Sequence, residues 1–203
     1  MTRSAAGASC LSDAASRAGI EVEINTIDRK MMGRCIELSK TGAACGELPF
    51  GSLVARHGQI IAEATNQIMC LVDESRHAEI IAIAKARQLL RDEKLSTCTL
   101  YSTVEPCPMC SFCIRAAGIG RVVFALGSPL IGGLSRWNIL CDDRFPLLFG
   151  PVPEVVVGVL ADDVEDVWVR WKPMVARAIF MLGFLVSVAY LCDDVNDFGT
   201  ADD

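Results

Sequence analysis

Three side chains with metal-binding chemistry lie in two short motifs, a His-x-Glu pair that begins at His77 and a Pro-Cys-x-x-Cys run that contains Cys107 and Cys110. One imidazole and two thiolates are three protein ligands for a tetrahedral zinc ion, and the fourth position is left for water. Structural zinc sites normally use four protein ligands, so this number indicates a catalytic site. Glu79, two residues beyond His77, can reach that water as a proton carrier rather than as a ligand.

The spacing of the two cysteines indicates where they lie on a helix. Cys-x-x-Cys places two sulfurs about one helical turn apart, and Pro108 suits the first helical position, where its missing N–H is no loss. The start of a helix also stabilises the charge of a thiolate. The alternative is a structural site in which Cys113, three residues further on, is the fourth ligand. We favour the catalytic site because the structural one leaves Glu79 without a role.

Together the two motifs form the H-x-E…P-C-x-x-C pattern of zinc deaminases. The sequence resembles the cytidine deaminase superfamily, and within it the nucleobase (guanine/cytosine) and tRNA adenosine deaminase branch, over about residues 27–141. The matching segments share the order and spacing of that branch and lie at 48–51, 66, 76–80, 100–107 and 120–125. As a set they are a specific signal, whereas Cys-x-x-Cys alone is a weak one.

The resemblance implies a fold and further site residues. The fold is α/β, a three-layer α/β/α sandwich around a central mixed sheet of about five strands, and the expected assembly is a homodimer. Asn66 is expected to hydrogen-bond the edge of the base and the Ala78 backbone to line the pocket, with Pro49 and Phe50 in its wall. Because the region after the fourth strand helps to close the pocket in related deaminases, aromatic residues there are candidates for stacking on a base, with packing in the core as the equal alternative for each: Trp137, Phe145 and Phe149.

The expected reaction is zinc-dependent hydrolytic deamination of an exocyclic amino group on a nucleobase, nucleoside or related heterocycle. Water activated by zinc adds to the ring carbon that bears the amino group, Glu79 moves the protons, and ammonia leaves. We rank a small-molecule heterocyclic amine such as guanine or cytosine first, and adenosine in tRNA second. A hypothesis of another class is a non-catalytic, zinc-stabilised interaction module, which the presence of Glu79 disfavours.

The charge of the chain supports that order of substrates. The net charge is −6 at pH 7, and residues 142–203 contain twelve acidic and four basic residues. Proteins that grip a polynucleotide usually present a basic patch, because neutralised phosphates supply much of their affinity. An acidic C-terminal third therefore weakens the tRNA hypothesis without excluding it, since Arg29, Lys30 and Arg34 can form a basic face.

Length and composition indicate a globular protein with one full core. The chain has 203 residues, of which 52% are apolar and 22% charged. Ten cysteines are scattered along it, and the first 19 residues do not resemble a secretory signal. We therefore expect a reducing, cytoplasmic compartment rather than a disulfide scaffold. We divide the chain into a flexible arm at 1–25, a zinc-dependent deaminase domain at 26–160 and a helical extension with an acidic tail at 161–203.

Hydrophobic periodicity predicts the elements that position the site. The predicted helices lie at 28–41, 77–90, 107–117 and 134–140, and the predicted strands at 50–56, 59–65, 97–103, 121–125 and 155–160. Helices that alternate with strands indicate a sheet covered on both faces, with the metal ligands along one edge. An apolar run at 178–192 is too short to span a bilayer, so we expect a buried or interface helix there and no contact with a membrane.

Overall fold

The computed structural model describes residues 25–91, 95–144 and 151–182, with side chains in the last helix described as far as residue 172. The predicted N-terminal arm, the acidic tail and most of the apolar run at 178–192 lie outside the described residues. Phe145 and Phe149 lie outside them as well.

Five strands form one mixed sheet in the order β2-β1-β3-β4-β5. They are β1 (Gly51–Arg56), β2 (Gln59–Thr65), β3 (Cys98–Val104), β4 (Arg121–Leu126) and β5 (Glu154–Val157). Strand β1 runs antiparallel to both β2 and β3, whereas β3, β4 and β5 are parallel to one another. The predicted mixed sheet of five strands is therefore confirmed.

Helices cover both faces of this sheet and complete the three predicted layers. They are α1 (Thr26–Ala44), the single turn α2 (Ile68–Leu71), α3 (Ala78–Leu90), α4 (Pro108–Ala117) and α5 (Ala161–Leu182). Helices α1 and α5 pack with one apolar cluster, and α3 and α4 pack with another. Because successive side chains of a strand point to opposite faces, Leu100 and Val122 join the α3–α4 cluster while Tyr101 and Val123 join the α1–α5 cluster.

Helix α1 is fixed to the sheet by a buried ionic contact and by a close backbone approach. The carboxylate of Asp28, 1% exposed, accepts hydrogen bonds from Tyr101 Oη at 2.7 Å and from both terminal nitrogens of Arg121 at 2.8 and 2.9 Å. At Gly51, a Cβ would overlap the carbonyl oxygen of Cys35 in α1. A glycine is therefore required where β1 begins beneath this helix.

The strand directions place the starts of two helices at the same edge of the sheet. Since β1 is antiparallel to both of its neighbours, β2 and β3 point the same way and end at Thr65 and Val104 on one edge. The chain enters α3 after the first of these ends and α4 after the second. The residues that start α3 and α4 are His77 and Cys107, so the sheet brings both metal-binding motifs to this edge.

In the C-terminal part of the fold one predicted helix is wrong, and the predicted fifth strand ends earlier than expected. Residues 134–140 form turns rather than a helix, because Asn138 adopts a left-handed backbone (φ 53°) and the N–H of Ile139 bonds to the carbonyl of Gly133, which ends the helical turn. Strand β5 ends at Val157 rather than at residue 160, because Gly158 (φ 87°) turns the chain toward α5.

The apolar run predicted at 178–192 begins within the last turns of α5, and its residues after 182 lie outside the described part. None of the helices in the described ranges has the length and apolar character needed to cross a membrane.

Candidate metal centre and active site

Helix starts position all three candidate metal ligands. His77 is the N-cap of α3 and Cys107 the N-cap of α4, both with extended backbone, and Pro108 follows Cys107 at the first helical position as expected. The His77 side chain makes no capping hydrogen bond to its own helix. The imidazole and the thiol are thus available to each other, and Cys110, fully buried one turn into α4, joins them.

The three ligand atoms have the separations that a tetrahedral zinc ion needs. Nδ1 of His77 lies 3.6 Å from Sγ of Cys107 and 3.4 Å from Sγ of Cys110, and all three atoms lie within 4.8 Å of one another. Zinc–sulfur bonds of about 2.3 Å and a zinc–nitrogen bond of about 2.1 Å at a tetrahedral angle require a separation of about 3.6 Å. The residues therefore fit zinc.

Cys113 is not part of this group. Among the described residues, the cluster that can hold a metal consists of His77, Cys107 and Cys110 alone, and Cys113 is a half-buried thiol further along α4. The structure thus gives no support to the alternative of a four-ligand structural site.

The electrostatics of the site favour an anionic sulfur. The pKa of Cys107 is lowered to about 4, chiefly by a hydrogen bond from the Cys110 thiol and further by one from His77. The pKa of Cys110 is raised because its proton is shared with the Cys107 thiolate and because the group is buried. The contact with Cys107 in turn raises the pKa of His77. This is the charge balance expected of a site prepared for a cation.

Glu79 lies beside the three ligands with its carboxylate buried, 4% exposed. Ser102 Oγ donates a hydrogen bond to Oε1 at 3.1 Å, and Cys110 Sγ lies 3.6 Å from Oε2. Burial raises the pKa of Glu79, an effect that the backbone N–H of Glu79, the charge of His77 and, least of the three, the hydrogen bond from Ser102 partly offset. The carboxyl group is therefore disposed to take and hold a proton next to the metal ligands.

A cavity of about 170 Å³ opens beside these groups. His77, Glu79 and Cys107 line one side of it. The rest of the wall comes from the strand ends, from a loop at residues 127–135 and from α5, and consists of Phe50, Val104, Glu105, Leu126, Gly127, Ser128, Ile131, Glu165 and Trp168. The two motifs thus face a space that a small ring can enter.

Of the four predicted substrate contacts, Phe50 lines this cavity. Pro49 and Ala78 are buried, and each is next in the sequence to a residue that lines the cavity. Neither of them lines the cavity itself. Asn66 is 1% exposed, and its Nδ2 donates to Glu47 Oε2 at 3.1 Å. Its Oδ1 has no hydrogen-bond partner among the described residues. The amide therefore keeps an acceptor unused.

Glu105 is a wall residue whose role the sequence did not reveal. Its carboxylate is 5% exposed and accepts hydrogen bonds from the backbone of Ser128 at 2.7 Å, Leu134 at 2.9 Å and Ser135 at 2.7 Å, and from Ser135 Oγ. Any side chain at Gly132 would overlap this carboxylate. Glu105 therefore holds the 127–135 loop against the cavity. The one signal in the sequence is an acidic residue directly between a buried strand and the Pro-Cys motif.

A second aromatic residue at the cavity, beside Phe50, is not among the predicted stacking candidates. Trp168 of α5 lines it and packs edge to face on Phe50, with ring centroids 5.1 Å apart. Trp137, the predicted stacking candidate that the structure describes, is 59% exposed and does not line the cavity. Trp168 lies in an amphipathic helix with no motif around it, so its place at the site depends on tertiary packing that a single sequence does not encode locally.

Comparison with known proteins places this geometry among deaminases. Residues 25–126 match the family model described as the cytidine and deoxycytidylate deaminase zinc-binding region. The tRNA-specific adenosine deaminase of Aquifex aeolicus is 40% identical over 96 residues, 47% of this chain and 64% of that protein. The guanine deaminase of Bacillus subtilis is 45% identical over 77 residues, 38% of this chain and 49% of that protein. The chain thus spans less than two thirds of the length of either relative.

A solved structure from work on A-to-I editing by tRNA:A34 deaminases at the wobble position superposes with a TM-score of 0.62 at 27% identity. The match covers 68% of this chain and 98% of that one.

Proposed function

The chain belongs to the cytidine and deoxycytidylate deaminase family of zinc-dependent enzymes, and we propose that it removes the exocyclic amino group of a nucleobase, with adenosine in tRNA as the first candidate substrate. One observation carries the reaction. An imidazole and two thiols at zinc-binding separations share a cavity with a buried carboxyl group.

We assign the metal ligands to His77, Cys107 and Cys110. When bound there, zinc polarises a water molecule and makes it nucleophilic near neutral pH. Glu79 takes a proton from this nucleophile and delivers it to a ring nitrogen of the base. Glu79 then takes the remaining proton of the added hydroxyl, which becomes the carbonyl, and delivers it to the departing amino group as the carbon–nitrogen bond breaks. One water is consumed, and ammonia and a ring carbonyl are formed.

The other site assignments are made on the resemblance and on position. Phe50 forms part of the wall, in keeping with its place at the cavity. We propose that Asn66 contacts the edge of the base with its unused acceptor, and that the Ala78 backbone and Pro49 shape the pocket. A homodimer, a cytoplasmic location and the domain boundaries at 25 and 160 stay predictions.

The relatives reverse the order of substrates that charge alone favoured. Both the Aquifex relative and the tRNA:A34 deaminase structure favour adenosine in tRNA over a free base. Free guanine is the second candidate, because the guanine deaminase of Bacillus subtilis has the highest sequence identity, 45%, of the three proteins compared above. The cavity agrees with this candidate, since its wall contains the Glu165 carboxylate and no lysine or arginine among the described residues. A negative wall repels phosphates but suits the ring N–H donors of a free base.

Ammonia release by the zinc-loaded protein tests both candidates. The panel contains an adenosine-containing tRNA anticodon stem-loop, guanine, adenine, cytosine and their nucleosides. Turnover of the stem-loop supports the first candidate, and turnover of guanine alone replaces it with the second. No ammonia release from any of these substrates by the zinc-bound protein would contradict the proposed reaction and favour a non-catalytic zinc module.

Glu79→Gln supplies the control for the chemistry. We expect this variant to keep its zinc and to lose activity by about 10²- to 10⁴-fold, because the amide cannot carry the proton. Glu74→Gln makes the same change at an exposed position on the loop before His77 and should leave activity unchanged. Loss of zinc from Glu79→Gln would show that Glu79 is a ligand and not a proton carrier.

A further inference from the structure

The buried hydroxyl of Ser102 contacts the Glu79 carboxylate from the sheet. The residue lies in β3, is fully buried, and is paired with Ser52 of β1 on one side and Phe124 of β4 on the other. Its position is therefore fixed by hydrogen-bonded strands on both sides. The hydroxyl has a single proton, and it donates this proton to Glu79 Oε1 at 3.1 Å.

The two oxygens of Glu79 have different neighbours. Oε1 accepts from the hydroxyl on the sheet, whereas Oε2 accepts from the thiol of Cys110 at 3.6 Å on the side of the candidate metal ligands. The bond from Cys110 is lost when that sulfur is a thiolate, which leaves the bond from Ser102 in place. A glutamate side chain has three rotatable bonds, so a carboxylate without an anchor samples several positions. An anchor on one oxygen restricts the other to the side where the chemistry is proposed to occur.

We propose that Ser102 is a positioning residue that holds Oε1 of Glu79, so that Oε2 is the oxygen that exchanges protons with the nucleophile and the base. This inference rests on the proposed function of Glu79. Ser102 does not line the cavity, so it acts through Glu79 rather than on the substrate. Its contribution belongs to the chemical step and not to substrate binding.

Ser52 offers a matched control on the neighbouring strand. It is fully buried and directly opposite Ser102 in the β1–β3 register. Its hydroxyl donates to the backbone carbonyl of Tyr101 at 2.7 Å instead of to a carboxylate. Ser52→Ala therefore removes the same group from the same depth of the sheet without touching Glu79.

The experiment compares zinc-loaded wild type, Ser102→Ala and Ser52→Ala for zinc content, kcat and KM, with the tRNA anticodon stem-loop and with guanine as substrates. We expect Ser102→Ala to lower kcat by about tenfold or more while KM changes by less than about twofold, because a misplaced catalytic group slows the chemistry without weakening binding. Zinc content should stay at the wild-type value. Ser52→Ala should keep the wild-type kcat.

Equal kcat in the two serine variants would overturn the inference, as would a rise in KM at unchanged kcat for Ser102→Ala. A crystal structure of Ser102→Ala gives a readout that does not depend on activity. The Glu79 carboxylate should leave its wild-type position or occupy more than one, whereas in Ser52→Ala it should not move. If the wild type deaminates neither substrate, the proposed function fails, and the carboxylate positions alone decide whether Ser102 holds Glu79.

Discussion

The side of the cavity that contains His77, Cys107 and Glu79 and the side that contains the 127–135 loop and Trp168 are held in place by different means. The first side is built from two helix starts at one edge of the sheet, and short motifs place its groups. The second side is a loop bound to one carboxylate and a helix that arrives more than eighty residues beyond His77. Changes on the first side should therefore affect zinc and kcat, and changes on the second should affect KM and the choice of substrate.

The largest effect is expected on the metal side. Cys107→Ser should lower zinc content and activity together, with activity reduced by at least about a hundredfold, because one of the three proposed protein ligands is lost. Zinc content is measured by elemental analysis of the purified protein, and activity by ammonia release.

Cys113→Ser is the matched control for this loss. It removes a half-buried thiol from the same helix, but Cys113 is not in the metal-binding cluster, so zinc and activity should stay close to wild type. A fully metallated and active Cys107→Ser variant would show that Cys107 is not a zinc ligand. Zinc loss in Cys113→Ser would instead revive the four-ligand structural site.

An intermediate effect is expected where the wall is anchored. Glu105→Gln keeps the size of the side chain but has one oxygen, so it cannot accept all the bonds from the 127–135 loop. The free energy of unfolding should fall by about 1.5–3 kcal/mol, the worth of a hydrogen bond to a charged group. Zinc content should not change, and KM should rise by about tenfold because the wall is no longer fixed.

Denaturant unfolding and steady-state kinetics measure these effects, and hydrogen exchange of residues 128–135 reports on the loop itself. Glu37→Gln is the control for loss of a carboxylate, since Glu37 is 66% exposed in a surface pair with Arg34. It should lower the free energy of unfolding by less than about 1 kcal/mol. Loss of zinc from Glu105→Gln, or unchanged hydrogen exchange of residues 128–135, would contradict the proposed separation between the metal side and the loop side of the cavity.

The same distinction explains how much of the molecule could be predicted from the sequence. The five strands and the helices that start at His77 and Cys107 are marked by hydrophobic periodicity and by turn residues, which are local signals. That Cys107 and Cys110 lie together was predictable for the same reason, since residues three apart at a helix start share one face.

The wall could not be predicted because its contacts join residues far apart in the chain. Residues 134–140 have the composition of a helix, but the left-handed backbone of Asn138 ends the turn early. The turn lies at the cavity because Glu105, 29 residues before Leu134, accepts its first N–H groups. Trp137 has the residue type suited to stacking but lies exposed, while Trp168 fills that place from α5. Propensity describes a segment by itself, and here a distant carboxylate and a distant helix decide the outcome.

The smallest effect is expected within α5, where two tryptophans three residues apart face different surroundings. Trp168 contacts both Phe50 and Trp171 edge to face, and it lines the cavity. Trp171 is 7% exposed and lines a separate groove against α1. Trp168→Phe weakens two aromatic contacts and Trp171→Phe one, each worth about 0.5–1.5 kcal/mol, so both should lower the free energy of unfolding, Trp168→Phe by more.

The two variants should differ in kinetics, because Trp168 alone reaches the cavity. We expect Trp168→Phe to raise KM by about two- to fivefold with zinc content and kcat close to wild type, since part of the wall is replaced by a smaller ring. Trp171→Phe should leave KM unchanged. Thermal unfolding and steady-state kinetics on the same preparations separate the two quantities. An equal rise in KM for both variants would mean that α5 affects the site through its stability as a whole. Trp168 would then make no specific contribution to the wall.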